Sequence, residues 1–372
     1  MDLSFTEEQQ HLKDTARRLL AERAGSASLR TTIEGEAGRD PELWQELSES
    51  MGWTGILVPE AHDGLGLGPV ELCAIMEEMG RALYSGPFFS SVCLAQNVLL
   101  ACGDEAAHAR HLPGLASGST RAAVALTDAD PEAAASARRD GDGFVLDGHK
   151  CHVVDGASAE LLLVTATLDG HPAVFALDAT AAGLERTATP TMDQTRRQAR
   201  VVLSGVHASG DALIASGAGT AAALQLALDR ARIALAAEQV GSAQACLDTA
   251  VEYAKTRTQF GRPIGSFQAI KHKCADMMTQ LESARSACYY ATAAAARADT
   301  TADELTELAS LTQAFCSEAH FFCAGENIQV HGGIGFTWEH DAHLHFKRAR
   351  ASQTLLGDPA AHRSRIAERL LG

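Results

Sequence analysis

Basic residues are scarce in this chain relative to acidic ones. It has 31 Lys and Arg residues against 47 Asp and Glu residues, which gives a formal net charge of −16. Nucleic acids are bound by surfaces rich in Lys and Arg, so we expect no nucleic-acid partner. The sequence also lacks an uncharged apolar run long enough to cross a bilayer, and its first residues lack the features of a signal peptide. We therefore expect a cytoplasmic protein that does not bind membranes.

Closely spaced cysteine pairs are absent as well. Nine cysteines are scattered along the chain, none of them in a C-x-x-C arrangement, and several fall on apolar helix faces. This distribution favours reduced and mostly buried thiols over a disulfide framework.

What the sequence does contain is enough apolar material for a large core. Its 372 residues are 46% hydrophobic, and the length allows two or three domains. Helical signals dominate residues 1–115, short apolar runs between Gly and Asp turns dominate 116–208, and helical periodicity returns over 209–372. The pattern predicts a helical domain, an antiparallel β domain and a second helical domain. The predicted strands lie at residues 122–126, 143–146, 161–164, 173–177 and 199–203.

The central element is a long helix predicted from Leu224 onwards. Its apolar residues recur at helical spacing, and the residues between them are largely Ala, Gly and Ser. A helix with so many small side chains lets neighbouring helices approach closely, so we place it at the centre of a bundle. Ser266 is predicted to cap the helix that follows it. Three helix-breaking residues end the central helix, namely Gly261, Pro263 and Gly265.

The break in the helix holds Arg257, Phe260 and Gln268 at a helix–loop–helix corner. An arginine guanidinium can bind a phosphate through two hydrogen bonds, so the corner could be an anion site. The alternative is a surface arginine beside a phenylalanine of the core. These residues by themselves leave both interpretations open.

A second candidate anion site follows the helix predicted from Thr301. This helix ends near Gln329, and Gly332 and Gly333 come directly afterwards. Adjacent glycines let backbone N–H groups turn toward an anion without a Cβ in the way. Their alternative role is to cap the C-terminus of the helix.

Two other segments carry suggestive patterns. The glycines of residues 63–68 do not have the spacing of a dinucleotide fingerprint, and only a short apolar run precedes them. Residues 338–345 contain three histidines and two carboxylates, which could bind zinc, but the spacing is not H-E-x-x-H and no cysteine is near. We interpret this second segment as a polar helix start or pocket wall, and we expect no metal site.

These segments together resemble the acyl-CoA dehydrogenase family. The resemblance rests on R-x-x-F-G…Q at residues 257–268, Q-x-x-G-G-x-G-F at 329–336 and V-P-E…G-L-G-L-G at 58–68. It implies an N-terminal helical domain, an antiparallel β domain and a C-terminal four-helix bundle, with the glycines of 63–68 in a turn between helices. It also implies FAD as the cofactor, an acyl-CoA as the substrate and an electron-transfer flavoprotein as the electron acceptor.

The resemblance assigns roles to individual residues of this chain. Six of them would contact the FAD of a neighbouring subunit, at its adenine-nucleotide half or its pyrophosphate: Arg257, Phe260, Gln268, Gln329, Gly332 and Gly333. On the flavin-ring side, Thr127 matches the family's V-T-E-P-x-x-G-S-D segment, but the G-S-D is missing. In the family's K-x-W-I-T-N-G segment, His152 replaces the Trp that shields the flavin and Val154 replaces the Thr that bonds it.

Both family positions of the catalytic base also differ. The family's C-terminal Y-E-G has Leu356 in place of the Glu, and its E-R pair early in the central helix has Ala231 in place of the Glu. The nearest carboxylates in sequence are Asp229, Glu238 and Asp358. A shift of two residues along a helix turns a side chain by well over 90°, so we do not expect any of these three to act as the base.

The retained and the missing residues fall into two functional groups. In the family, the retained ones contact the FAD of a neighbouring subunit, and the missing ones belong to a subunit's own active site. This favours a subunit of a heteromeric α2β2 acyl-CoA dehydrogenase whose homologous partner carries the catalytic Glu, as in paired enzymes of sterol side-chain breakdown. Two alternatives are a homo-oligomeric flavoenzyme with an atypical base and a non-catalytic acyl-CoA-binding or scaffolding protein.

Overall fold

The computed structural model describes residues 3–371, and helices occupy both ends of this range. The helices are α1 (Glu7–Arg23), α2 (Ser26–Glu34), α3 (Pro41–Gln45), α4 (Pro69–Arg81), α5 (Asn97–Cys102), α6 (Glu105–Ala116), α7 (Thr220–Thr256), α8 (Gln268–Ala295), α9 (Ala302–His331), α10 (Ala342–Thr354) and α11 (Pro359–Leu371). Shorter π or 3₁₀ turns lie at Glu46–Ser50, Trp53–Gly55, Glu60–His62, Phe89–Gln96, Gly210–Ala212, Ile264–Ser266 and Gly332–Phe336.

Nearly all strands lie between the two helical regions. They are β1 (Ala122–Ala125), β2 (Thr127–Asp128), β3 (Ser136–Asp140), β4 (Gly143–Val154), β5 (Leu161–Leu168), β6 (His171–Asp178), β7 (Leu184–Thr189), β8 (Gln198–Ala208), β9 (Leu213–Ser216), β10 (Thr258–Gln259) and β11 (Arg262–Pro263). The predicted helical–β–helical fold is confirmed, and each of the five predicted strands is present. No helix within residues 3–371 has a segment that is both long enough and apolar enough to span a bilayer.

The chain packs as two compact units. The helical unit comprises the chain up to Thr31, Pro69–Tyr84 and the chain from Arg232 onwards. The sheet unit comprises Thr32–Gly68 and Ser85–Ala231. The division of the sequence into three domains at residues 115 and 208 stays a prediction.

The sheet of the sheet unit is mixed. Its strand order is β7-β8-β4-β3-β5-β6-β9, with β1 paired to β5 and β2 paired to β4. The pairs β1–β5 and β3–β5 are parallel and the others are antiparallel, which modifies the prediction of an antiparallel sheet. Parallel neighbours need a crossover connection, and the segments between β1 and β5 supply it. Phe144 and Phe175 meet in the core of this unit, edge to face, with ring centroids 5.2 Å apart.

The helical unit shows the close helix approach that the small residues of α7 predict. A Cβ at Gly80 of α4 would lie 1.9 Å from the carbonyl oxygen of Glu238 on α7, and a Cβ at Gly241 would lie 1.7 Å from that of Glu77. The two backbones therefore touch where only glycine fits. Next to this contact, the buried Glu77 carboxylate accepts hydrogen bonds from Lys13 at 2.6 Å and from the Tyr289 hydroxyl at 2.7 Å. A buried carboxylate of this kind is tolerated because cationic and hydroxyl donors surround it.

The start of α8 corrects one prediction. The N-cap of α8 is Phe267, and no side chain caps this helix. Ser266 instead ends the 3₁₀ turn Ile264–Ser266, one residue too early to reach the first N–H groups of α8.

Candidate functional site

Arg257, Phe260 and Gln268 lie on and beside a tight hairpin in the helical unit. Strands β10 and β11 pair antiparallel, with Thr258 opposite Pro263 and Gln259 opposite Arg262. The two residues at the tip, Phe260 and Gly261, both have positive φ, +53° and +75°. Positive φ at both central residues is the geometry of a type I′ hairpin turn, which favours Asn, Asp or Gly.

Phe260 is 91% exposed at this tip, so its interpretation as a core phenylalanine is wrong. A left-handed backbone costs a non-glycine residue roughly 1–2 kcal/mol. The chain thus holds a large apolar ring in solvent on a strained backbone, and strained residues of this kind cluster at functional sites. The ring's aromatic neighbour is Phe267, edge to face at 6.0 Å.

Arg257 is the first residue after α7, and its backbone is fixed. Its N–H donates to the Tyr253 carbonyl at 2.8 Å and its carbonyl accepts from the Ile264 N–H at 2.8 Å. The guanidinium is exposed, and nothing within residues 3–371 pairs with it by an ion pair or a hydrogen bond. By contrast, the Arg262 guanidinium lies 4.2 Å from the centre of the Phe267 ring. Gln268, the first residue of α8, is also exposed.

Gly332 and Gly333 form a solvent-facing turn at the end of α9. The Gly332 N–H donates to the Ile328 carbonyl and its φ is +64°, so the C-cap role is confirmed. A Cβ placed on Gly332 or Gly333 would meet no described atom within 4 Å, and Gln329 is exposed one turn earlier. The glycine backbone therefore faces open space, while the predicted anion-binding role stays a prediction.

The hairpin and this turn lie at the same end of the bundle, where stacked aromatic rings connect the ends of α7 and α9. The Tyr253 ring stacks on the His331 ring with centroids 4.3 Å apart, and the His340 ring lies 4.2 Å from His331 on tilted planes. His331 Nδ1 lies 2.8 Å from the Asn327 carbonyl oxygen. Burial lowers the pKa of His331 and so favours a neutral ring. Tyr253 was missed by sequence reasoning, although it lies one helical turn before Arg257.

Residues 338–345 are the start of a helix and the wall of a pocket, as predicted. Asp341 precedes α10, and its carboxylate forms an ion pair with Arg30. A pocket of about 480 Å³ is lined by His340, Asp341 and His345 together with residues of α4, α7 and α9. His345 Nδ1 lies 2.7 Å from the Ser242 hydroxyl oxygen. The histidines of this segment are thus packing and pocket-lining residues.

The C-terminal base position offers a backbone carbonyl in place of a carboxylate. Leu356 has a φ of +61°, and its carbonyl accepts a hydrogen bond from Arg232 Nε at 3.1 Å. The nearby Asp358 is exposed and caps α11 by accepting from the Ala361 N–H at 2.8 Å. Glu238 is buried in an ion pair with Arg348 at 2.7 Å. Both carboxylates are already engaged.

The base position in α7 lies in the sheet unit and is also apolar. Ala231 is fully buried, and the Asp229 carboxylate, 1% exposed, accepts from Gln225 Nε2 at 2.8 Å. Asp229 is therefore the most enclosed of the three carboxylates considered as substitutes.

Thr127 is held in place by a buried lysine of the sheet unit. Strand β2 pairs with β4 so that Thr127 lies opposite Cys151, and the Thr127 side chain is exposed. Lys150 Nζ lies 2.7 Å from Asp128 Oδ1 and donates to the Leu126 carbonyl at 3.2 Å. Burial lowers the pKa of Lys150, and the hydrogen bond to Asp128 offsets part of this shift. The lysine therefore ties down the residues on both sides of Thr127, a role that the sequence alone did not indicate.

His152 and Val154 have different surroundings. His152 lies at an irregularity in the β4–β8 pairing with a φ of +55°, and its Nδ1 lies 3.0 Å from Gln198 Oε1. Val154 is 4% exposed. The exposed imidazole can still offer a polar group to a ligand, whereas the valine cannot.

Sequence comparison identifies relatives over almost the whole chain. Residues 6–119 match the acyl-CoA dehydrogenase N-terminal domain and residues 217–371 match the acyl-CoA dehydrogenase C-terminal domain. Acyl-CoA dehydrogenase IpdE2 of Mycolicibacterium smegmatis is 34% identical over 97% of this chain and 98% of the relative. IpdE2 of Mycobacterium tuberculosis is 36% identical over 95% of this chain and 94% of the relative.

Solved structures give the same result. The ChsE4-ChsE5 complex from Mycobacterium tuberculosis matches with a TM-score of 0.91 and 28% identity, covering 100% of this chain and 99% of the other. A variant of the Tcur3481-Tcur3483 steroid ACAD (acyl-CoA dehydrogenase) matches with a TM-score of 0.87 and 32% identity over 98% of each chain. An FAD-dependent dehydrogenase matches with a TM-score of 0.88 and 26% identity over 100% and 99%. The full-length relatives, the two matched domains and the shared fold agree, and the chain belongs to the acyl-CoA dehydrogenase family, whose members are FAD-dependent oxidoreductases.

Proposed function

We propose that this chain is the base-lacking subunit of a heteromeric acyl-CoA dehydrogenase, in which it completes the FAD site of a homologous, active partner. The complex desaturates an acyl-CoA between Cα and Cβ and passes electrons to an electron-transfer flavoprotein. The observation that carries the proposal is the state of the base positions. Ala231 and Leu356 are apolar, Glu238 is ion-paired with Arg348, and Asp358 is an exposed helix cap.

The helical unit is suited to hold the pyrophosphate end of FAD. The exposed guanidinium of Arg257, free of partners within residues 3–371, can form two charge-assisted hydrogen bonds to phosphate oxygens. Gly332 and Gly333 leave room for a phosphate to approach the backbone, because a Cβ there meets only open space. Phe260 and Gln268 extend the same exposed surface, with the Phe260 ring available to pack on an aromatic base or a partner chain.

FAD, when bound, supplies the acceptor for the hydride that leaves Cβ. On this chain, the residues named above bind and orient the cofactor, and none of them removes the proton from Cα. A positioned base accelerates such a proton transfer by ~10²–10⁴-fold, so an active site without one turns over poorly. In the proposed complex, the Glu of the partner removes this proton.

The solved relatives support a heteromeric assembly and a steroid-linked substrate. The ChsE4-ChsE5 structure is a complex of two differently named chains, and the Tcur3481-Tcur3483 structure is described as a steroid ACAD. By analogy, we propose a sterol side-chain acyl-CoA as the substrate class.

The decisive experiment measures flavin content and turnover for the chain expressed alone and co-expressed with a homologue that carries the catalytic Glu. We expect little FAD and little or no acyl-CoA oxidation from the chain alone. The co-expressed pair should form a tetramer with one FAD per heterodimer and full activity. One FAD per subunit with full turnover from the isolated chain would contradict the proposal. Binding of acyl-CoA without FAD, and no activity with a partner, would point to a non-catalytic protein.

A second candidate function is a homo-oligomeric flavoenzyme that uses Asp229 as its base. The observation in its favour is the burial of this carboxylate, which is 1% exposed. An enclosed carboxylate is shielded from bulk water, as a base in a closed active site must be. If the isolated chain proves active, Asp229→Asn should abolish turnover while Asp358→Asn, at the exposed helix cap, should leave it unchanged.

A further inference from the structure

Two histidines and a glutamate converge in the sheet unit. His62 ends the 3₁₀ turn Glu60–His62, and Glu105 and His108 lie three residues apart on the first turn of α6, on the same face of that helix. One ring nitrogen of each histidine and one oxygen of Glu105 lie within 4.8 Å of one another. We propose that these three side chains bind a divalent metal ion of the zinc class.

One of the donor distances already fits zinc coordination. Zinc binds histidine nitrogen and carboxylate oxygen at about 2.0–2.2 Å in a tetrahedron, which places neighbouring donor atoms roughly 3.3 Å apart. His62 Nε2 lies 3.4 Å from Glu105 Oε1. The rings of His62 and His108 have centroids 5.8 Å apart and planes at 70°, so they meet edge to face instead of stacking. All three donor atoms lie within 4.8 Å of one another, so a bound ion would draw His108 toward the His62–Glu105 pair.

The donor set selects the kind of metal. Two imidazoles and one carboxylate suit zinc and similar transition-metal ions, whereas magnesium and calcium prefer oxygen ligands. His62 is 7% exposed, while the Glu105 side chain is 83% exposed. The site is therefore closed to solvent at His62 and open to solvent at Glu105, where a water molecule can be the fourth ligand of the metal.

The backbone around the two histidines is fixed before any metal arrives. A Cβ at Gly64 would lie 1.9 Å from the Val58 carbonyl oxygen, so the loop that carries His62 is folded tightly on itself. A Cβ at Gly103 would lie 2.7 Å from the Leu99 carbonyl oxygen and 3.1 Å from His108 Cδ2. His108 Nε2 lies 2.9 Å from that same Leu99 oxygen. A histidine ligand commonly donates its second N–H to a backbone carbonyl, which orients the ring and leaves the other nitrogen for the metal.

The test uses the full chain after treatment with a chelator. Calorimetric titration with zinc chloride should show a binding site that magnesium chloride does not fill. In the double variant His62→Asn/His108→Gln, we expect the affinity of this site to fall at least 100-fold. Glu105→Gln should weaken it about tenfold or more. Cobalt titration should give visible d–d absorption bands in the wild-type chain that are lost in the double variant.

Matched controls separate this site from the other histidines and thiols. His171→Gln changes an exposed histidine of the same unit, and Cys102→Ser removes the half-buried thiol nearest to Glu105 in sequence. Both should bind zinc like the wild type. If the double variant loses its circular dichroism signal, Glu105→Gln decides instead, because its exposed side chain is not needed for packing. Equal zinc affinity in the wild type and Glu105→Gln, or no zinc binding by the wild type, overturns the proposal.

Discussion

The Tyr253 ring stacks on the His331 ring with centroids 4.3 Å apart and planes at 29°. This contact joins the last turn of α7, which leads into the Arg257 hairpin, to the last residue of α9, which leads into Gly332. Two segments far apart in sequence are thereby held at one end of the bundle. If both bind the same FAD, the stack is what sets their spacing.

Tyr253→Ala should weaken FAD retention by the assembled complex while leaving the chain folded. Loss of a half-buried aromatic stack costs roughly 2 kcal/mol, which a large bundle tolerates, but the hairpin and the glycine turn lose their common support. Tyr253→Phe keeps the ring and is the control. The measurement is FAD content after gel filtration, and equal content in the Ala and Phe variants would argue against a positioning role.

Arg257→Ala should reduce FAD affinity in the complex by an order of magnitude or more. Hydrogen bonds to charged groups are worth ~1.5–3 kcal/mol each, and Arg257 can make two to a phosphate. Arg262→Ala is the matched control on the same hairpin, because that guanidinium is already occupied by the Phe267 ring. FAD dissociation constants for the two variants provide the test. Unchanged flavin content in the Arg257 variant would refute the assignment.

Leu356→Glu should not convert the isolated chain into an active dehydrogenase. The new carboxylate would replace the missing family base, but the backbone there has a φ of +61°, and the flavin side still has His152 and Val154 in place of the family residues. Acyl-CoA oxidation by the isolated chain, with Leu356→Gln as the isosteric control, measures the effect. Ala231→Glu should in addition destabilise the fold, because it places a carboxylate at a fully buried position. Substantial turnover from Leu356→Glu alone would show that the flavin side is intact.

The helical unit should lose stability as the pH falls below about 6. Burial, aided by Lys347, lowers the pKa of His343 to about 4, and burial lowers the pKa of His345 to about 3, from an ordinary value of 6.5. Because the unfolded chain binds these protons first, the stabilisation is complete above pH 6.5 and declines toward the folded pKa values. Each histidine contributes up to about 1.4 kcal/mol per pH unit to this loss.

Urea unfolding at pH 7, 6 and 5 tests this dependence. His345→Gln removes one titrating group and should make the free energy of unfolding less dependent on pH than in the wild type. His11→Gln, on an exposed position of α1, is the control and should match the wild type. A wild-type slope retained in His345→Gln would contradict the predicted role of this histidine.

The sequence by itself determined the main secondary structure and the family. Periodic apolar residues predicted α7 and α9, and short apolar or alternating runs predicted five strands. Helix breakers at 261–265 predicted the end of α7, which the structure places somewhat earlier, at Thr256. The small residues of α7 also predicted that neighbouring helices approach it closely, although not that α4 is the helix that does so. These features depend on neighbours within a few residues, because helix and strand periodicities are local properties of the chain. Six strands were not predicted: β2, β3, β7, β9, β10 and β11.

Only the tertiary structure decided which distant groups meet. It placed Phe260 in solvent at a hairpin tip, although a large aromatic side chain usually belongs to a core. It engaged Glu238 with Arg348 and made Asp358 a helix cap, and it paired β5 with β1 and β3 in parallel. It also brought His62 close to Glu105 and His108, a grouping that no sequence motif indicates. Contacts of this kind depend on how separate elements pack, and residue spacing along the chain carries no direct record of that packing.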